Sequence, residues 1–326
     1  MSILEYSEYY KPFKYNWAYD QYLKQDQCHW HANEINYSND IKDWNTILSE
    51  DEKELLTQIF RFFTQADVDV AGGYCDHFLP FFKNNEIRMT LLTNAAMEVI
   101  HQDSYSKIID TLNIPQLNYS VFTEYKEMKD KNDYFKNFNM NNPIEVGKAV
   151  ALYGAFSEGL QLFASFAMLL NFQRFGKMKA MCQVVAYSMR DETIHVATMI
   201  QIYKTYISEQ IQKQNISTIE LKIMREEIIE IAKQIVEMED AFIDLSFKNY
   251  KIEGITATEM KDYVRYVANI RLLQLGMQTI YYENKTNPIA WLDELQQGME
   301  FSNFFESHPT NYSKFASTGN WEEAYD

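Results

Sequence analysis

Glu98-Val-Ile-His101 and Glu192-Thr-Ile-His195 repeat one spacing in two separate stretches that both read as long helices. Residues three apart on an α-helix leave the same face, so each motif offers a carboxylate and an imidazole to one centre. A single Glu-x-x-His is a common accident and binds little by itself. Two of the chain's 6 histidines in identical motifs are harder to assign to chance. Facing each other across a bundle, they would hold a pair of metal ions, provided that two further helices each add an acid.

Asp67 and Glu158 are the natural additions, because each stands inside an apolar helical stretch where an ionised group is costly unless paired or metal-bound. Each precedes a Glu-x-x-His motif by about the length that one helix needs to run out and the next to return. Asp67, Glu98, His101, Glu158, Glu192 and His195 thus form a set of four carboxylates and two imidazoles. Such a set suits iron or manganese, which also keep positions open for oxygen, better than zinc with its closed sites richer in nitrogen and sulfur.

The elements that must carry these residues are legible in outline. Ser49 and Glu52 form a capping pair that opens a helix running towards Gly72-Gly73, with Asp67 well inside. A second helix spans about Glu86 to Leu112, with Leu91, Leu92, Ala95, Val99 and Ile109 expected on its apolar side. Residues 116–142 are polar and read as a connecting segment with a short helix. Pro143 starts a third helix that reaches about Phe175 and stops at Gly176. A fourth runs from about Met178 to Tyr206, and Ser217/Glu220 and Thr256/Glu259 open two more. The reading is therefore an all-α, ferritin-like helical bundle over residues 46–302, preceded by an irregular N-terminal arm, 1–45, packed on it and followed by a flexible C-terminal tail, 303–326.

Composition agrees with this and narrows the function. Only 10 glycines and 6 prolines interrupt 326 residues, which suits a mostly helical protein. A net charge of −16 argues against a nucleic-acid binder, since phosphate backbones attract basic surfaces. The first ten residues lack a basic, apolar leader pattern and no long apolar run appears, so a soluble, cytoplasmic protein without membrane contact is expected. Cys28, Cys75 and Cys182 have neither disulfide nor zinc-knuckle spacing and read as packing residues. No glycine-rich phosphate loop and no cysteine pair suited to reducing a substrate is present, so nucleotide chemistry is not expected on this chain.

The segments Glu98-Val-Ile-His101-Gln-Asp-Ser-Tyr105, Glu158-Gly-Leu-Gln-Leu-Phe-Ala-Ser-Phe166 and Arg190-Asp-Glu-Thr-Ile-His195 together resemble those of the small, radical-generating β subunit of class I ribonucleotide reductase. The likeness runs from about Trp30 to Tyr312. It implies the same six metal ligands, and it implies that the metal pair activates O2 and oxidises Tyr105 to a stable tyrosyl radical. Two irons are the foremost choice; manganese–iron and two-manganese pairs use the same ligand types, and the last can call for an activating flavoprotein. Leu162 and Phe166 would shield the radical, while Ser188 departs from a position that is commonly apolar in that family. The resemblance further implies a relay in which Trp30 bonds to Asp191 and Asp191 contacts His101. Tyr312, helped by Glu306, would carry the radical onward, and the tail with Trp321 and Tyr325 would dock on the large, catalytic α subunit that reduces ribonucleoside diphosphates. A homodimer is implied as well. The alternatives are a stand-alone di-metal oxidase or oxygenase, which would need no relay, and an iron-storage protein, which would need no Tyr105.

Overall fold

Capping residues fix where the helices begin. Ser49 accepts the Glu52 N–H at 3.2 Å while the Glu52 carboxylate accepts the Ser49 N–H at 2.9 Å, and Ser217 and Glu220 repeat the arrangement. Thr256 accepts the Glu259 N–H, but its hydroxyl, not its backbone, turns to the Glu259 carboxylate, so only half of that box forms. The Asn142 side chain accepts two N–H groups ahead of Pro143.

The structure is a computed structural model that describes residues 2–114, 126–127, 129, 140–248 and 251–295. Its helices are α1 (Asn16–Gln27), α2 (Ser38–Thr46), α3 (Glu50–Gly73), the single turn α4 (Leu79–Phe81), α5 (Asn85–Thr111), α6 (Pro143–Ala151), α7 (Leu162–Arg174), α8 (Lys179–Gln212), α9 (Thr218–Phe247) and α10 (Ala257–Gln274). No strand occurs among the described residues. Residues Met1–Pro288 form one compact unit; the second, Ile289–Asp326, is described only to 295 and is helical over 290–295. Tyr312, Glu306, Trp321, Tyr325 and most of the expected connecting segment lie outside the described residues.

Several expectations need correction. The first 45 residues are not irregular: they hold α1 and most of α2. The Asp40 carboxylate on α2 accepts the N–H groups of Ala180 and Met181 at 3.0 and 2.7 Å, capping α8 from outside its own sequence. Helix α3 ends at Gly73, as expected, but the chain does not turn away there. The backbone continues through a π-helical turn, Tyr74–Phe78, and Gly73 is required by contact, since a Cβ there would sit 2.3 Å from the Tyr153 ring. Leu92 and Val99 are 52% and 59% exposed, so they leave the buried face of α5 that Leu91 and Ile109 occupy. Cys75 is exposed and Cys28 half-buried; only Cys182 is a core residue.

The third expected helix is continuous but irregular. Between α6 and α7 lies a ten-residue π-helical segment, Leu152–Gln161, with Glu158 inside it. π-Helical turns are rare and tend to mark functional sites. Here Arg271 on α10, buried, donates to the Gly159 carbonyl at 2.7 Å and stacks on Phe163. A Cβ on Gly159 would meet Arg271 Nε at 2.8 Å. Helix α5 packs on α3 and on α8, and α8 packs on the π segment, so these four elements enclose one centre.

Candidate metal centre

Each Glu-x-x-His pair lies on the inner face of its helix, α5 or α8, and the two pairs face each other. Glu98 spans both imidazoles: its Oε2 lies 3.5 Å from His101 Nδ1 and its Oε1 lies 2.9 Å from His195 Nδ1. Glu192 does the same from the opposite side, with Oε1 3.3 Å from His101 Nδ1 and Oε2 3.4 Å from His195 Nδ1. Glu158 Oε1 stands at 3.7 Å from His195 Nδ1. Glu98, Glu158, Glu192 and His195 bring one ligand atom each within 4.8 Å of one another. Asp67 comes from α3 to the His101 half, where it feels the charges of Glu98 and His101.

Most of these close approaches are not hydrogen bonds. Among the described residues, both oxygens of Glu98 and Glu192, Oε1 of Glu158, Oδ2 of Asp67 and both nitrogens of His195 are buried without a hydrogen-bond partner. Burying polar groups in that state costs energy unless a cation completes the set. Burial, with the repulsion of neighbouring carboxylates, pushes the carboxyls of Asp67 and Glu158 well above the ordinary range. Burial also opposes charge on Glu98, but the two imidazoles outweigh it and hold that carboxyl down. They are themselves driven up, against desolvation, by the acids around them. Two divalent cations would neutralise Asp67, Glu98, Glu158 and Glu192, one held by the His101 half and one by the His195 half. The buried Glu/His group therefore suits a dinuclear metal site.

The surrounding residues are ordered on each side. His101 Nε2, turned away from the centre, lies 3.2 Å from Asp191 Oδ2. Trp30 Nε1 donates to the same oxygen at 2.8 Å, while Gln25 and Arg190 donate to Oδ1. Arg190 also reaches the Cys28 carbonyl, which ties the loop carrying Trp30 to α8. Glu158 pairs with neither Arg174 nor Arg190; its Oε2 accepts from the Tyr74 phenol.

Tyr105 projects from α5 one turn beyond His101 and is fully buried. Among the described residues its oxygen has no hydrogen-bond partner, Asp67 included. Burial and the nearby Asp67 carboxylate push the phenol up strongly. Its ring lies 4.8 Å from that of Phe63, which in turn lies 5.5 Å from Phe166. Leu162 is buried in the same helix as Phe166. The Ser188 hydroxyl, also buried, comes near enough to favour the ionised phenol without an aligned hydrogen bond.

Sequence reasoning missed Phe63, Tyr74, Asn94 and Gln25. Phe63 stands one turn before Asp67, and Asn94 one turn before Glu98, so helical spacing from the acids could have found both. Tyr74 and Gln25 carry no such signal.

Comparison with known proteins bears on what the site is for. The family model described as ribonucleotide reductase, small chain, matches residues 7–288. The probable ribonucleoside-diphosphate reductase small subunits of invertebrate iridescent viruses 3 and 6 are 40% and 37% identical, covering 96% and 100% of this chain and 86% and 99% of theirs. A solved structure from Bacillus halodurans, described as a putative class I ribonucleotide reductase, is 25% identical with a TM-score of 0.76, over 86% of this chain and 99% of that one.

Proposed function

The chain belongs to the ribonucleotide reductase small-chain family, and from that membership we propose that its dinuclear centre serves to make a radical on Tyr105 and send it to a large catalytic subunit. It is the small subunit of a ribonucleoside-diphosphate reductase, and the large subunit reduces the nucleotide. The proposed step is the oxidation of one phenol.

Asp67, Glu98 and His101 would hold one metal, and Glu158, Glu192 and His195 the other. When bound, the metal pair supplies the oxidising power, drawn from O2. Iron is the foremost choice, and manganese–iron or two-manganese pairs fit the same oxygen-rich ligands. The observation that carries the reading is the Tyr105 phenol itself: buried, without a hydrogen-bond partner, and adjacent to Asp67. Phe63 and Phe166 keep water and reductants from it, and a radical made there is preserved. Asp191 orients His101 and accepts from Trp30, which gives a continuous hydrogen-bonded path from the metal ligands to the indole. Tyr312 takes the path on through the tail, whose acidic and aromatic end, Trp321 to Asp326, docks on the large subunit.

Exposed Leu92 and Val99, seven residues apart on one face of α5, support a homodimer in which a second copy covers them. No described helix is long and apolar enough to cross a membrane, and a cytoplasmic site of action is part of the proposal. Tyr105→Phe tests the reading: loaded with metal and mixed with the large subunit, it should retain the wild-type metal content and lose ribonucleotide reduction. Near wild-type turnover would overturn it.

A further inference from the structure

Tyr74 is a second fully buried phenol at the centre, on the side away from Tyr105. It donates to Glu158 Oε2 at 3.0 Å and accepts from Asn94 Nδ2 at 3.4 Å, and its ring stands edge-on to His195 with centroids 6.2 Å apart. Both ends of the Tyr74–Glu158 bond lie in π-helical segments, Tyr74–Phe78 and Leu152–Gln161. Both residues thus sit in a rare backbone geometry that tends to mark functional sites.

The consequence is a division of labour within one carboxylate. Glu158 Oε1 is buried, without a hydrogen-bond partner, and faces His195 Nδ1 at 3.7 Å; Oε2 is already taken by Tyr74. Glu98 and Glu192 have no such bond on either oxygen. We propose that Tyr74, itself braced by Asn94, is a positioning residue that restricts Glu158 to binding metal through Oε1 alone. A carboxylate bound by both oxygens fills two coordination places, whereas one held by Tyr74 fills one and leaves the metal of the His195 half open to a small ligand such as O2 or an anion. This rests on the dinuclear reading of the centre.

The test is the crystal structure of the full chain loaded with manganese(II), as wild type and as Tyr74→Phe, with azide affinity of both forms measured by calorimetry. In the wild type, Oε1 alone should reach the metal and Oε2 should remain on Tyr74. In Tyr74→Phe both oxygens should bind, metal content should stay at the wild-type level, and azide should bind about tenfold more weakly. A wild-type Glu158 that chelates through both oxygens overturns the proposal without any variant. So does a Tyr74→Phe protein with unchanged Glu158 geometry and azide affinity. Failure of the wild type to take up manganese at all would instead sink the dinuclear reading, and this inference with it.

Discussion

At the scale of single residues, the centre is distinguished by what its side chains lack. Glu98 and Glu192 are fully buried with both oxygens free of hydrogen bonds, whereas Asp191, one residue before Glu192, has Gln25, Trp30 and Arg190 as donors and lies against His101. Asp191 is therefore placed to orient His101 and has its own oxygens already satisfied. Asp191→Ala should cost about 10–100-fold in metal affinity or activity, seen by manganese titration and by turnover with the large subunit; unchanged values in both would refute that role. Ser188 gives a subtler case. Its hydroxyl, like the charge of His101, favours the ionised Tyr105 phenol, so Ser188→Ala should shift the high-field electron paramagnetic resonance spectrum of the radical while metal content stays the same. A superimposable spectrum would show that Ser188 does not touch the radical. The six acids and imidazoles were legible because helical spacing and apolar surroundings mark them. Tyr105 was one of 23 tyrosines, and only the family resemblance singled it out. Tyr74 was missed because no spacing rule links it to Glu158, 84 residues away.

At the scale of elements, capping chemistry made three helix starts readable, at Ser49, Ser217 and Thr256, and Pro143 marked a fourth. The π-helical segments were not readable, since a shift from i−4 to i−5 bonding leaves no residue pattern of its own. Nor was the helical character of the N-terminal 45 residues, whose α1 has few apolar positions and is held by packing on α5 and α8. The π segment carrying Glu158 depends on Arg271 filling the space above Gly159. Gly159→Ala should destabilise the protein by about 1–3 kcal/mol through overpacking, measured as a lower midpoint in denaturant unfolding, and it should weaken metal binding because Glu158 is the neighbouring residue. Full stability with wild-type metal content would mean that Arg271 gives way freely.

At the scale of the whole molecule, helix periodicity led to Leu92 and Val99 as core residues, and the single chain leaves them exposed; the pattern recorded an apolar face without saying what covers it. If a second copy does, Leu92→Glu with Val99→Glu should turn a dimer into a monomer in sedimentation velocity, and a dimer that survives both charges would place the contact elsewhere. The path from the centre to Trp30 crosses elements far apart in sequence, which is why it came from resemblance and not from spacing. Central to the proposed function is the oxidation of Tyr105 by the metal-loaded centre. It is probed most directly by low-temperature electron paramagnetic resonance, with metal counting, on the wild-type chain loaded with metal and exposed to O2, prepared with ordinary and with ring-deuterated tyrosine. Two metal ions per chain are expected, with a radical signal that narrows on deuteration and is missing from Tyr105→Phe. Two bound metals with no tyrosine-derived signal, or the same signal in Tyr105→Phe, would refute a tyrosyl radical at this position.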